Sequence, residues 1–280
     1  NVIEVGAEQK RSVVRVDALI AKHKAKCFEL DNGLQVCVEE DRRLPLVSLS
    51  IAFRAGLLAE NDQCSGITAL LASSLFKGSE RRSASELDNM LESLGGGAGA
   101  GSGNNSFYVN AGVMSPDLAR ALDVVADVIC NPAFPEDAIG REQQIQVSAI
   151  HEEKERPMGA ALAAARKAMY ASHPYGRMRL GDPDSVSALC VDDLKSFHEH
   201  YAVAGNGALS ICGSVEVNHV KDLAEEYFAC LRKGPRALDS FDQIRWPDQR
   251  QVLTEHRDKQ QSVVVIALPG LSLFSEDRAA

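Results

Sequence analysis

The feature that most constrains the fold of this chain is a change of apolar period along its first hundred residues. Two segments alternate between apolar and other residues, and their apolar members are Leu34, Val36, Val38, Val47, Leu49, Ile51 and Phe53. The following segments, 66–76 and 83–94, repeat their apolar residues at helical spacing instead. Strands with one apolar face need a layer of helices against that face. The pattern predicts an α+β fold, with a mostly antiparallel sheet and helices packed on one face.

The remaining segments continue this alternation of strands and helices. An Asp-Asn-Gly turn ending at Gly33 joins the first two strands. Ser65 is a predicted N-cap for the first helix, and Ser83 with Glu86 forms a predicted capping box for the second. Further strands are predicted at 106–114 and 207–215, and further helices at 115–129, 134–156, 158–170, 190–201 and 218–231.

Composition and charge exclude several classes of function. The chain has 280 residues, 45% of them apolar, and a formal net charge of −9, and it contains no long Lys/Arg run. Nucleic-acid binding is therefore not expected, because it needs a basic surface. No apolar run approaches the roughly 20 residues that span a bilayer. The seven cysteines are widely spaced without a Cys-x-x-Cys pair, which argues against a zinc ribbon and favours small buried side chains, while a bridge between strands stays open.

Changes in composition divide the chain into four parts. Residues 1–26 are charged and are interpreted as a linker or leader, and residues 27–235 form the main domain. Residues 236–249 are polar and contain proline, like a linker. Residues 250–280 start a new strand near residue 261 and are interpreted as the truncated beginning of a second domain. The chain begins at Asn1 without a methionine, so we expect a piece of a longer protein, and its compartment stays open.

Several distinctive stretches, in this order, carry a family resemblance. They read LDNGLQVCVEE, FRAGLLAENDQCSGITALLASSLFKGS, LESLGG, NPAFPEDAIGRE, HPYGR and FHEHYAVAGNGALSICGSVE. Together they resemble the pitrilysin/insulinase-type zinc metallopeptidases, which include mitochondrial processing peptidase and the core proteins of respiratory complex III. The resemblance covers about 27–235, and 250–280 resembles the start of a second, homologous domain. It implies the mitochondrial processing peptidase-like domain fold.

The resemblance also locates a lost metal site. Active members carry His-x-x-Glu-His within Gly-x-x-His-x-x-Glu-His-x-x-Phe-Lys-Gly, and a further Glu ligand on a later helix. Here the frame is kept at Gly66 and at residues 76–78 (Phe-Lys-Gly). The four chemical positions fall on Ala69, Ala72, Ser73 and Ala149.

Those replacements remove the chemistry that the motif supports. A catalytic zinc needs about three protein ligands and an open position for water. Alanine has no lone pair, a serine hydroxyl alone is a poor ligand, and the general base is missing as well. The resemblance therefore implies that this chain holds no zinc and hydrolyses no peptide at this position.

Within the family, an active half and a degenerate half enclose a chamber. The chain is thus expected to be a non-catalytic half or subunit, whose partner bears zinc and His-x-x-Glu-His and whose substrate is an unfolded peptide. One alternative is a structural scaffold like the respiratory core proteins. Another is a peptidase with a displaced metal site on His151 and Glu155, which are spaced i, i+4, although a solvated helix face explains this pair more simply.

The glycine-rich segment 95–103 is the remaining candidate for binding. It lacks the Gly-Lys-Ser/Thr ending of a phosphate loop. The resemblance makes it an edge strand beside the cleft, where active members hold extended substrate, and a flexible hairpin is the alternative. The predicted peptide contacts are Gly97, Gly99, Gly101, Asn104 and Asn105. His198 and His200 are interpreted as capping or surface residues.

Overall fold

A computed structural model describes residues 25–238, 244–258, 260–271, 275 and 277, and its centre is a six-stranded sheet. The strands are β1 (Lys26–Glu29), β2 (Gln35–Glu40), β3 (Leu46–Arg54), β4 (Gly97–Ser102), β5 (Ser106–Met114) and β6 (Gly207–Gly213). Their order is β1-β2-β6-β3-β5-β4. Only the β2–β6 pairing among these strands is parallel, so the predicted mostly antiparallel sheet is confirmed.

The helices form the second layer. They are α1 (Ile67–Ser74), α2 (Ala84–Ser93), α3 (Leu118–Cys130), α4 (Glu136–Glu155), α5 (Pro157–Tyr170), α6 (Pro183–Ala188), α7 (Val191–Tyr201) and α8 (Val217–Phe228). The Ser83–Glu86 capping box starts α2 as predicted, because both partners lie within one turn. None of the helices in the described ranges is long and apolar enough to cross a membrane.

The core lies between the helices and one face of the sheet. Phe53 of β3 and Phe107 of β5 are buried there, with ring centroids 5.1 Å apart. The next residues along each strand point the other way, and on that second face Ser48 of β3 and Ala208 and Cys212 of β6 are exposed. Burial on alternate residues follows from the period of two in a strand, so the apolar pattern of the sequence determined which face is covered.

The last strand in the sequence occupies a central place in the sheet. β6 pairs with β2 in parallel and with β3 in antiparallel orientation, so it closes the gap between the two strands at the start of the chain. Asn206 fixes the entry to β6, because its Nδ2 donates to the carbonyl oxygens of Arg54 and Tyr201, both at 2.8 Å. The regular structure therefore forms one body from Lys26 to Phe228.

Several local predictions differ from the structure. The strand predicted after residue 260 is wrong, because described residues 260–271 hold no strand, and Val264 and Ile266 there are 82% and 81% exposed. A strand needs a partner for its backbone amides, and none lies beside this segment in the described part. The helix predicted at residue 115 begins at Leu118, after a 3₁₀ turn. Most of the predicted leader, residues 1–24, lies outside the described residues.

The cysteines are less buried than the sequence indicated. Cys27 and Cys37 face each other across β1 and β2 and form a disulfide, the bridge between strands that the sequence left open. Cys190, Cys212 and Cys230 are exposed free thiols. For Cys212 the reason is strand alternation, since its apolar neighbour Ile211 takes the buried position.

Candidate functional site

The candidate site is built around the N-terminus of α1. Gly66 precedes the helix with φ of +91°, and a Cβ there would lie 2.5 Å from the carbonyl oxygen of Leu180, so only glycine fits. The predicted N-cap at Ser65 is wrong. The carboxylate of Glu60 takes this role instead, because it accepts hydrogen bonds from the backbone N–H of Gly66 at 2.8 Å and of Thr68 at 3.2 Å.

Glu60 is a buried carboxyl that the sequence analysis missed. Burial raises its pKa, while the hydrogen bonds from Gly66 and Thr68 act in the opposite direction. Arg177 holds the same loop from outside, donating to the backbone oxygen of Glu60 at 2.8 Å and to the carboxylate of Asp62 at 2.8 Å. Five residues, 61–65, separate Glu60 from Gly66, so no local capping pattern could have identified it.

Helix α4 packs against α1 and is attached to it at two points. Gln146 is buried, and its Nε2 donates to the backbone oxygens of Gly66 at 3.0 Å and Leu180 at 2.8 Å. Lys77, just after α1, forms an ion pair with Glu142 at 2.8 Å. Ala149 follows Gln146 by three residues, which places it on the same side of α4, toward the start of α1.

The four positions predicted for the metal-site side chains carry almost no donor atoms. Ala69 and Ala72 are buried, at 8% and 3% exposure, and Ala149 is partly buried. Ser73 is exposed, and its hydroxyl donates to the backbone oxygen of Leu70 at 3.1 Å. One hydroxyl that is already bonded within its own helix does not fit a catalytic zinc, which needs about three nitrogen, oxygen or sulfur ligands.

The displaced metal site on α4 finds no support in the geometry. His151 and Glu155 are exposed, and the intervening Glu152 pairs with Arg156 at 2.5 Å. Among the residues that the structure describes, no group of three or more His, Cys, Asp or Glu side chains is placed to hold a metal ion. This part of α4 is arranged as a solvated helix surface.

The glycine-rich segment forms β4, the outermost strand of the sheet on the side of β5. Among the described strands β4 pairs only with β5, which leaves its other edge free, and helix α1 packs against β4, so this free edge lies beside the candidate site. A cleft of about 340 Å³ follows this edge, lined by residues 97–100 together with Tyr108, Asn110 and Ala111 of β5.

The three predicted glycines of β4 differ in their surroundings. A Cβ on Gly97 or Gly99 would have no atom within 4 Å, so the fold itself does not require glycine there. A Cβ on Gly101 would lie 2.7 Å from the hydroxyl of Tyr108, whose ring covers that position. Gly97 and Gly99 therefore leave the floor of the cleft open, whereas Gly101 makes room for an aromatic side chain of the same chain.

Asn104 and Asn105 form the turn between β4 and β5, and their side-chain oxygens are engaged within the chain. The Asn105 oxygen accepts from the hydroxyl of Tyr175 at 2.5 Å, and the Asn104 oxygen accepts from Arg166 at 3.5 Å. The backbone N–H of Ala55 also donates to the carbonyl of Asn105 at 3.0 Å. The turn is thus tied down at the end of the cleft, and these bonds occupy the acceptors of both amides.

His198 is not at the surface as the sequence indicated. It is 6% exposed on the inner side of α7, and its Nε2 lies 2.8 Å from the carbonyl oxygen of Ile129 at the end of α3. Burial lowers the pKa of His198 to about 4, so the ring is neutral at physiological pH and donates one hydrogen bond. Its neighbour His200 is exposed, which agrees with the predicted surface position.

Comparison with protein-family models gives two matches. Residues 35–183, just over half of the chain, match the family described as insulinase (peptidase family M16), and residues 188–280 match the family described as the peptidase M16 inactive domain. The second match begins before β6 and α8, which belong to the same sheet and helical layer as the elements of the first. The boundary between the two matches is therefore not a boundary between folded bodies.

Similar proteins are described as zinc proteases and processing peptidases. A protein from Rickettsia felis described as an uncharacterised zinc protease is 25% identical over 92% of this chain and 61% of its own length. A probable mitochondrial-processing peptidase subunit beta from Arabidopsis thaliana is 24% identical over 78% of this chain and 41% of its own length. The chain thus spans about half the length of these relatives.

Solved structures share the same fold. A structure from Pseudomonas fluorescens described as a peptidase M16 inactive domain superimposes with a TM-score of 0.75 at 25% identity, over 79% of this chain and 54% of that one. Pitrilysin superimposes with a TM-score of 0.68 at 21% identity, over 80% of this chain and 24% of its own.

Proposed function

Since the chain belongs to the insulinase peptidases, family M16, we propose that it is a non-catalytic half or subunit of a zinc metallopeptidase. In this proposal it closes the peptide-binding chamber of an active half that carries His-x-x-Glu-His and the zinc ion. One observation carries the proposal. Helices α1 and α4 are held against each other, while the positions that the family resemblance predicts for metal-site side chains carry Ala69, Ala72, Ser73 and Ala149.

The contacts around α1 support the proposal, because they hold the helix in place without any metal ligand. Glu60 caps the helix, Gln146 joins it to α4, and Lys77 pairs with Glu142. All three interactions position the backbone and need no metal. The surface formed by α1, α4 and β4 therefore has the same shape whether or not the chain's own site is active. The proposal assigns the hydrolytic step to the partner.

The free edge of β4 is the proposed contact for an unfolded peptide. An extended peptide can add to an exposed strand through backbone hydrogen bonds, and the pockets alongside then select its side chains. Gly97 and Gly99 leave the cleft floor open, and Tyr108 and Asn110 offer a ring and an amide. Asn104 and Asn105 are proposed to support the end of this surface. A folded substrate has no free extended backbone to offer, so unfolded segments are the expected substrates.

The test is reconstitution with a partner chain. A His-x-x-Glu-His-bearing M16 chain from the same source is purified alone and together with this chain, and cleavage of a quenched fluorescent peptide is measured. The expected result is that this chain alone is inactive and that the pair cleaves much faster than the partner alone. Hydrolysis by this chain alone would overturn the proposal, and so would full activity of the partner alone. Co-purification with membrane redox subunits and no peptidase would favour the scaffold alternative and also overturn it.

A matched pair of variants tests the role of β4 in the reconstituted complex. Gly99→Val places a branched side chain in the cleft, at a position where the fold has space. It should raise KM about tenfold, equivalent to roughly 1.4 kcal/mol of lost binding, and leave kcat nearly unchanged. Gly140→Val on α4 is the control, because Gly140 also has open space around it but lies neither on β4 nor on the strand paired with it. Equal effects of the two variants would refute peptide binding at β4.

A further inference from the structure

Two free cysteines lie at the ends of α3 and α8. Cys130 is the last residue of α3, and Cys230 lies two residues beyond the end of α8. The two helices pack against each other, and the side chains of Cys130 and Cys230, 100 positions apart in the sequence, are hydrogen-bonded partners. Cys130 is partly buried, whereas Cys230 is exposed.

The surroundings give the two thiols different chemistry. Their mutual hydrogen bond is the main cause that raises the pKa of Cys130 and lowers the pKa of Cys230 to about 7. Arg81 further favours the Cys230 thiolate, while Asp127 disfavours it. The sulfur of Cys230 also lies 3.2 Å from the carbonyl oxygen of Tyr227, which accepts a hydrogen bond from the S–H when the thiol is neutral. The exposed sulfur is the better nucleophile, and the partly buried thiol stands behind it.

We propose that Cys130 and Cys230 form a thiol–disulfide exchange site that accepts small-molecule disulfides of the glutathione type. The Cys230 thiolate attacks one sulfur of the small disulfide, which forms a mixed disulfide and releases one thiolate. Cys130 then loses its proton to water, and its sulfur attacks the Cys230 sulfur, which releases the second thiolate. The protein gives up two electrons and gains a Cys130–Cys230 bond, and the small disulfide is reduced to two thiols. This site does not depend on the proposed peptidase role.

The same chain provides a control thiol. Cys212 is exposed on the open face of the sheet, and burial, with help from Glu39 and Asp41, raises its pKa. At pH 7 a thiol with a pKa of about 7 is roughly half ionised, compared with about 3% for an ordinary cysteine. The lower basicity of the thiolate reduces its nucleophilicity by about fivefold. Cys230 should therefore react at least about threefold faster than Cys212.

The experiment treats the purified full chain with oxidised glutathione at pH 7, quenches it with acid, alkylates the remaining thiols and maps peptides by mass spectrometry. The expected product is a cross-linked pair of peptides containing Cys130 and Cys230, formed before Cys212 is modified. Cys130→Ser should instead trap one glutathione on Cys230, and Cys230→Ser should leave Cys130 free. Stable glutathione on Cys230 of the wild-type chain, or equal reaction rates at Cys230 and Cys212, would overturn the proposal without any variant.

Discussion

Placing metal-site side chains at the four predicted positions tests whether the candidate site lacks only its ligands. The variant combines Ala69→His, Ala72→Glu, Ser73→His and Ala149→Glu. Because Gln146 and the Lys77–Glu142 pair already hold α4 against α1, the new side chains should converge without moving the helices. The quadruple variant is expected to bind one zinc ion, which the wild-type chain should not bind.

The expected change in the Tm of the variant follows from the burial of the substituted positions and from mass action of zinc. Ala69 and Ala72 are 8% and 3% exposed, so larger side chains there should cost about 1–3 kcal/mol each through overpacking. Zinc at a hundred times its dissociation constant stabilises the folded state by about 2.7 kcal/mol. For a folded body of this size, 1 kcal/mol corresponds to about 2–4 °C in Tm, so zinc should raise the Tm of the variant by about 5–11 °C. Without zinc, the variant should melt below the wild type.

The assay is thermal unfolding followed by fluorescence, with zinc and with a chelator, together with metal analysis of the protein. The matched control carries only the three α1 substitutions and keeps Ala149. It should show a smaller zinc-dependent rise, because one ligand is missing. A folded quadruple variant whose Tm is unaffected by zinc would refute the shared geometry, and an equal rise in the control would show that Ala149 is not the fourth position. Stoichiometric zinc in the wild-type chain would contradict the whole argument.

Two further predictions concern buried ionisable groups. Glu60→Ala leaves two amides at the start of α1 without their acceptor and should lower the free energy of unfolding in urea by about 1–3 kcal/mol. Asp62→Ala, whose side chain is 94% exposed, should change it by less than about 0.5 kcal/mol, and equal losses would contradict the capping role. For His198, the folded pKa of about 4 lies below the ordinary 6.5, so its contribution to stability is complete above pH 6.5 and is lost as the pH falls toward 4, by about 3 kcal/mol. His198→Gln should flatten that part of the pH profile, and an unchanged profile would refute the assignment.

The parts of the fold that the sequence predicted correctly are those set by local pattern. The alternation through Val47 and Phe53 predicted β3 and its buried face, because a strand exposes every second residue on the same side. The Ser83–Glu86 box predicted the start of α2, because both groups lie within one turn. The glycine-rich segment was predicted as an edge strand from the family resemblance, and it forms β4.

The parts that the sequence did not predict depend on contacts between distant residues. β6 lies between β2 and β3, a placement that no local period specifies. Glu60 caps α1 across a loop, and His198 is buried because Ile129 of another helix offers it a carbonyl. Cys27 pairs with Cys37 through the register of β1 and β2, which the spacing of seven cysteines left undetermined.

The contacts that hold α1 and α4 together involve other residues than the positions predicted for the metal ligands. A half without a metal site can therefore keep the same fold. A structural zinc site contributes to folding, so its loss would destabilise the protein. Around α1, the described contacts are made instead by Glu60, Gln146 and the Lys77–Glu142 ion pair, and they persist with alanine at the metal-site positions. In the proposed function, small residues at the predicted ligand positions therefore remove hydrolysis, while the surface beside β4 keeps its shape. If the surface formed by α1, α4 and β4 serves a partner's chamber, substitutions at Gln146 should impair the reconstituted complex more than substitutions at Ser73, although Ser73 stands at a predicted ligand position.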